Sequence, residues 1–261
     1  MRSIWSGAIR FGLIYIPVKL YKASENESLS FNLLRRQDLC RIRYARICGE
    51  TGEEVPYEDI VRGYEYDKDE YVVLEDEDFK RANVRKTSTI DIMSFTNLAE
   101  IDEKYVERPY YIEPEPEAQE AYALLREALK RSGKVGIGRF VLNTREHLAL
   151  IKAEDNVIIL NQMRFQNEIR SPEGLNLPSS EDVTLRELDM ATELIDQLTE
   201  PWRPEQYHDT YIEDLQRIIQ KKIEGKEPEP VEERKEPVEV TDLFSQLQAS
   251  LEMAEDEKKG K

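Results

Sequence analysis

Short runs of strand character broken by turn residues recur through the first 163 positions, and in the opening run apolar side chains alternate at a period of two. That period commits the chain to sheet, because successive side chains of a strand point to opposite faces. In 9–16 the residues Ile9, Phe11, Leu13 and Tyr15 share one face, opposite Arg10, Gly12, Ile14 and Ile16. Alternation resumes with Val18 and Leu20 after Pro17. Proline has no amide hydrogen to give a ladder, so Pro17 predicts an edge, a bulge or a break. Further strands are predicted at 39–47, 61–66, 70–74, 88–95 and 105–112, then at 135–142, 147–152 and 157–163, with Asp155-Asn156 as the turn between the last two.

One helix interrupts this series. Pro116 suits a first turn, Ala121, Leu124, Leu125, Ala128 and Leu129 follow at helical spacing, and Gly133 suits the stop. After Pro178 the helical period takes over. Thr184 and Glu187 form a capping box ahead of Leu188, Ala191, Ile195 and Leu198, and a second helix carries Tyr211, Leu215, Ile218 and Ile219 up to Gly225. These late helices either form a core of their own or reach a partner subunit. The organisation predicted is a sheet-rich domain over 1–180, a helical arm over 181–225, an acidic, Pro-rich linker over 226–239 and an amphipathic segment over 240–261. In that last segment Leu243, Phe244, Leu247 and Leu251 recur at helical intervals, as in a peptide that docks into a groove on another protein.

Charge argues first against nucleic acid, since the net formal charge is -17. The average conceals two basic blocks. Residues 1–50 carry nine Lys or Arg against four Asp or Glu, and 121–170 carry nine against five. No apolar run approaches the length of a membrane span and the N-terminus lacks the pattern of a signal peptide, so the cytoplasm is the expected compartment. Cys40 and Cys48 read as reduced, partly buried thiols, with a disulfide or a zinc site as the lesser alternative.

Catalytic patterns are weak throughout. Gly133-Lys134-Val135-Gly136-Ile137-Gly138-Arg139 lacks the Ser or Thr after Gly-Lys of a phosphate loop, so its glycines read as a turn and a close backbone approach. His147 and His208 sit in no nucleophile–base pattern, and Glu75-Asp76-Glu77-Asp78 lacks the alternation and glycine of a calcium loop, reading as a solvated acidic turn. From these residues alone the chain is a mainly β binding protein with a helical extension, without a cofactor.

The run Ser3-Ile4-Trp5-Ser6-Gly7-Ala8-Ile9-Arg10-Phe11-Gly12-Leu13-Ile14-Tyr15-Ile16-Pro17-Val18-Lys19-Leu20-Tyr21 resembles the opening signature of bacterial Ku proteins. Gly52-Glu53-Glu54-Val55-Pro56-Tyr57, Gly63-Tyr64-Glu65-Tyr66, Arg108-Pro109-Tyr110-Tyr111, Ala121 to Leu129, Arg145-Glu146-His147-Leu148 and Asn167-Glu168-Ile169-Arg170 extend the resemblance to about residue 225. Val240-Thr241-Asp242-Leu243-Phe244 is similar to the short C-terminal segment of these proteins.

The resemblance implies a β-barrel core with a DNA-encircling bridge and a helical arm, paired into a homodimeric ring. It implies sequence-independent capture of double-stranded DNA ends in non-homologous end joining, no enzymatic activity, a nucleoid-associated location and an ATP-dependent ligase partner, often with a polymerase domain. A minimal form is expected, without the long Lys-rich extension of many relatives. Candidate DNA-facing cations are Arg35, Arg36, Arg41, Arg43 and Arg46, then Arg81, Arg85 and Lys86, then Arg126, Lys130, Arg131, Lys134 and Arg139. Trp5, Phe11 and Tyr21 read as core. The rival readings are a protein-interaction scaffold of the same fold with weak DNA affinity, a metal-dependent end-processing nuclease and a sequence-specific regulator; the last two lack any motif.

Overall fold

A computed structural model of the chain describes every residue except 26–27, 83–87, 144, 180–182, 228–245 and 252–261. Two compact units divide at 171/172. The first opens with a hairpin of β1 (Trp5–Phe11) and β2 (Ile14–Lys22), whose register pairs Ile9 with Ile16 and Phe11 with Ile14. This corrects the single alternating run predicted over 9–16. Gly12 takes a φ of +57° and, with the wholly exposed Leu13, makes a two-residue loop, so Ile9 and Ile16 face the same way. A positive φ at the first loop position suits the right-handed twist of the two strands and favours a residue without Cβ.

Pro17 lies inside β2 rather than at an edge or break. Its carbonyl accepts from the Glu115 amide at 3.0 Å, which puts its missing N–H on the side where pairing with the next strand, β6, ends at Pro114. The proline therefore interrupts no ladder bond.

After β2 the chain leaves the sheet over residues 23–88. This excursion holds the hairpin of β3 (Arg62–Asp67) and β4 (Glu70–Leu74) and the helix α1 (Asp76–Ala82). The predicted strand over 39–47 is absent as a strand. Isolated bridges Leu34–Arg41 and Ile47–Glu54 stand in its place, because each partner lies only seven residues away and both loops close on themselves. The acidic run that read as a turn supplies the first turn of α1, where Asp76, Glu77 and Asp78 meet the unpaired N–H groups of the helix start.

The chain then returns through β5 (Thr89–Asn97), β6 (Val106–Pro114), α2 (Gln119–Ser132), β7 (Lys134–Leu142), β8 (Arg145–Glu154) and β9 (Val157–Met163). The strands close in the order β1-β2-β6-β9-β8-β7-β5, and β5 meets β1 in parallel, Ile9 beside Ile90. Closure leaves the barrel without a free edge. A parallel pair cannot be joined by a hairpin; here β2 and the excursion together make the connection. The barrel is filled by Ile9, Ile16, Val18, Leu20, Ile90, Ile112, Phe140, Ile151, Ile158 and Leu160, all nearly inaccessible.

The helix α2 lies on β8 and β7 through Leu125 and Leu129. Its Tyr122 hydroxyl donates to the Ile112 carbonyl at 2.8 Å and accepts from the Ile158 amide at 2.7 Å. Ile112 and Ile158 are the last pair of the β6–β9 ladder, so one buried hydroxyl completes the sheet at that end. Gly133 ends α2 with a φ of +63°, as its position predicted. A Cβ on Gly138 would lie 2.6 Å from the Asp91 carbonyl oxygen, which is the close backbone approach of β5 and β7. Trp5 and Phe11 pack on the core as expected, and the Trp5 indole donates to the Val141 carbonyl at 3.0 Å.

The second unit contains α3 (Leu185–Leu198) and α4 (Thr210–Ile223). Thr184 and Glu187 form the predicted capping box. Among its described residues none is buried. Leu188, Ile195, Leu198, Tyr211 and Ile223 are each more than half exposed. A core of its own, one of the two outcomes left open for these helices, is therefore not formed in the single chain.

Candidate nucleic-acid interface

The excursion 23–88 contributes no buried residue among those described, although it is a quarter of the chain. Both faces of the β3–β4 hairpin are open, with Tyr64, Tyr66, Tyr71, Val72 and Val73 exposed. An isolated two-stranded ribbon is marginal in water, so a segment of this kind gains its stability from what it lies against.

Its basic half is built as an internal repeat that was not apparent in the sequence. The Arg35 amide donates to the Cys40 carbonyl, the Leu39 amide to the Arg35 carbonyl and the Ile42 amide to the Leu33 carbonyl, each at 2.9 Å. Thirteen residues on, Cys48 donates to Glu53 at 2.8 Å, Gly52 to Cys48 at 2.9 Å and Val55 to Arg46 at 2.7 Å. Leu39 (φ +57°) and Gly52 (φ +73°) hold the same left-handed position. Asp38 and Thr51 each accept, through a side-chain oxygen, from the amide two residues on. These two tight loops fix the backbone by hydrogen bonds where there is no apolar core to do it. The signal that could have found them is the left-handed position, marked by Gly52 in one loop but by Leu39 in the other.

On this frame Arg35 is tied to Asp38, while Arg46 lies over the Tyr57 ring at 4.9 Å. Arg36, Arg41, Arg43 and Arg46 are exposed and have no ion-pair partner among the described residues. Arg81 is exposed at the end of α1; Arg85 and Lys86 lie outside the described residues. Five of the candidates, Arg35 to Arg46, are thus gathered in one segment of the excursion.

The barrel candidates are more constrained. Arg126 donates to Glu127 at 2.8 Å and to the Asn156 carbonyl at 3.0 Å, which ties α2 to the β8–β9 turn. Lys130 stands 3.8 Å from Glu127, Lys134 donates to Asn97 at 2.6 Å, Arg139 pairs with Glu146 at 3.4 Å, and Arg131 is exposed. Arg62, missed at the sequence level, lies over the Phe79 ring at 4.8 Å and joins β3 to α1.

Both cysteines are free; Cys48 is half-buried, whereas Cys40 is exposed rather than partly buried as predicted. Amides of Thr51 and Glu50 and the Thr51 hydroxyl turn toward the Cys48 sulfur and lower its pKa to about 7. Among the described residues no three His, Cys, Asp or Glu are grouped to hold a metal ion. His147 is half-buried on β8 against the Phe140 ring, and His208 is exposed. Of the docking candidates, Leu247 and Leu251 are half-buried on a described helical stretch over 246–251; Leu243 and Phe244 lie outside the described residues.

Comparison with known proteins agrees with this architecture. Residues 10–190 match the family described as the Ku70/Ku80 beta-barrel domain. Among relatives named non-homologous end joining protein Ku, that of Opitutus terrae is 43% identical over 254 residues, 96% of this chain and 91% of its own. That of Cupriavidus necator is 41% identical, over 96% of this chain and 77% of its own, and that of Archaeoglobus fulgidus 39%, over 97% and 99%. With a matched span that takes in the excursion and every barrel strand except most of β1, and with these relatives matching over nearly the whole chain, the chain belongs to the Ku family.

Proposed function

We propose that two copies of this chain form a ring that threads onto the ends of double-stranded DNA and recruits an ATP-dependent ligase for non-homologous end joining. The observation that carries the reading is the excursion 23–88: among its described residues no side chain is buried, and Arg36, Arg41, Arg43 and Arg46 have no ion-pair partner among the described residues. Paired excursions place those cations along a duplex. The exposed apolar faces of the hairpin and of α3 and α4 supply the contacts between copies.

Reading no sequence needs only phosphate and sugar contacts, for which arginine side chains suffice. A closed ring also reconciles DNA binding with a net charge of -17, since retention is topological and the acidic surface stays outside. The chain acts by binding rather than by catalysis, and this role places it at the nucleoid. The amphipathic segment containing Leu247 and Leu251 is the docking element for the ligase, with or without a polymerase domain on that partner.

The test is retention. After loading on a linear duplex, both ends are blocked with bulky protein caps and excess competitor is added. The ring predicts release from open duplexes and retention on capped ones, with a dimeric mass by light scattering. Equal release from both, or a monomer, overturns it. Failure to bind duplex at all favours the scaffold reading, for which the net negative charge is the supporting observation.

A further inference from the structure

One end of the barrel holds a cavity of about 840 Å³ that the DNA-binding reading does not use. Strand register builds it. Lys22 at the end of β2 stands opposite Tyr110 of β6, Arg108 of β6 opposite Gln162 of β9, and Arg145 at the start of β8 opposite Leu142 of β7. Arg2, just before β1, completes the rim. Three residues far apart in sequence make a buried floor: Tyr110, Leu142 and Gln162.

None of these four cations stands out in the sequence, because each is a single basic residue in a different strand or flank. Together they give the mouth four positive side chains against one acid, Glu25, in a chain of net charge -17. Arg2, Lys22 and Arg145 have no ion-pair partner among the described residues, and Arg108 has only the exposed Glu107 at 3.7 Å. The remaining acid near the floor, Glu107, accepts from Gln162 at 2.9 Å, and Gln162 in turn accepts from the Tyr110 hydroxyl at 3.3 Å. The polar floor is therefore satisfied, while Arg2, Lys22 and Arg145 above it have no carboxylate partner among the described residues. His147, half-buried in the wall, faces Arg145, the Leu142 carbonyl, Glu107 and Glu168.

Cations grouped around a concavity, uncompensated by carboxylates, repel one another and are stabilised by a multivalent anion. Two guanidinium groups match the tetrahedral oxygens of phosphate through paired hydrogen bonds, which an isolated ammonium does not. The cavity exceeds what a single phosphate fills. We propose that the barrel mouth is a binding site for a compact ligand carrying two or more phosphoryl groups, separate from the arginines of the excursion. Such groups come either from a free polyphosphate or from the phosphorylated terminus of a DNA strand.

Calorimetry with sodium tripolyphosphate on the full chain, at constant ionic strength and with sulfate as the control anion, tests the free source. Duplexes with 5′-phosphate or 5′-hydroxyl ends test the other. The expected result is one tripolyphosphate per chain, bound at least tenfold more weakly by the Arg108→Gln, Arg145→Gln variant. A preference for 5′-phosphate ends that the same variant loses also supports the site and assigns its source to DNA. Lys22→Gln, at an exposed position, gives a second reading if the double variant melts early. Absence of both signals, or signals equal in wild type and variants, overturns the proposal. Binding of the 5′-hydroxyl duplex reports the ring separately, so the two readings fail independently.

Discussion

Replacing Arg41, Arg43 and Arg46 together by Gln removes three exposed charges from the excursion and leaves the barrel core untouched, since none of the three is buried. Each phosphate neutralised by a cation adds about 0.9 to the slope of log affinity against log salt, through counterion release. Three arginines in each of two copies therefore account for a slope of about 5 if all six meet phosphates. Between about 50 and 200 mM salt this amounts to a roughly thousandfold difference in how far affinity falls. The assay is fluorescence anisotropy of a short labelled linear duplex at four or more salt concentrations. The variant should bind more weakly at low salt and show the shallower line. Loss of affinity with no change of slope would mean that these arginines hold the fold or the dimer rather than phosphates. An unchanged line would remove the segment from the DNA interface altogether.

Three further consequences concern the scaffold. Tyr122→Phe strips the hydroxyl that serves both the Ile112 carbonyl and the Ile158 amide, and should cost about 1–3 kcal/mol in urea denaturation; a cost near zero would show that the ladder end is satisfied otherwise. Gly138→Ala sets a Cβ 2.6 Å from a backbone oxygen that cannot swing away, so it should destabilise by about 1–3 kcal/mol, measured the same way. In a Cys40→Ser background, alkylation of Cys48 should accelerate with a midpoint at about pH 7. Because hydrogen bonds from the Thr51 amide and hydroxyl and the Glu50 amide favour the thiolate, Thr51→Val should move that midpoint upward; a midpoint at the ordinary thiol value in the parent would refute the geometry of the loop.

Strand positions were legible because short runs of β-branched, aromatic and aliphatic residues bounded by turn residues mark a strand even where, as in β4, neither face is buried. The runs at 70–74 and 157–163 coincide with β4 and β9, and the remaining barrel strands after Ser88 lie within a few residues of their predicted bounds. Capping chemistry was legible for the same local reason, at Thr184, Glu187 and Gly133. The hairpin turn at Gly12 was not, because apolar residues continue through it and Leu13 is exposed at its tip. Neither were the repeated loops of the excursion, whose pattern lies in backbone hydrogen bonds and in a left-handed leucine at position 39. The basic segment 35–46 could be picked out by charge, but not that Arg35 is paired with Asp38 while Arg36, Arg41, Arg43 and Arg46 have no ion-pair partner among the described residues. The barrel mouth was invisible in principle: Arg2, Lys22, Arg108 and Arg145 become neighbours only once seven strands have closed.

The central claim is entry through an end. A gel-shift comparison of a short linear duplex with a covalently closed circle of matched sequence, at two salt concentrations, tests it most directly. The ring predicts retention on the linear form alone, weakened by salt; equal binding to the closed circle would contradict it.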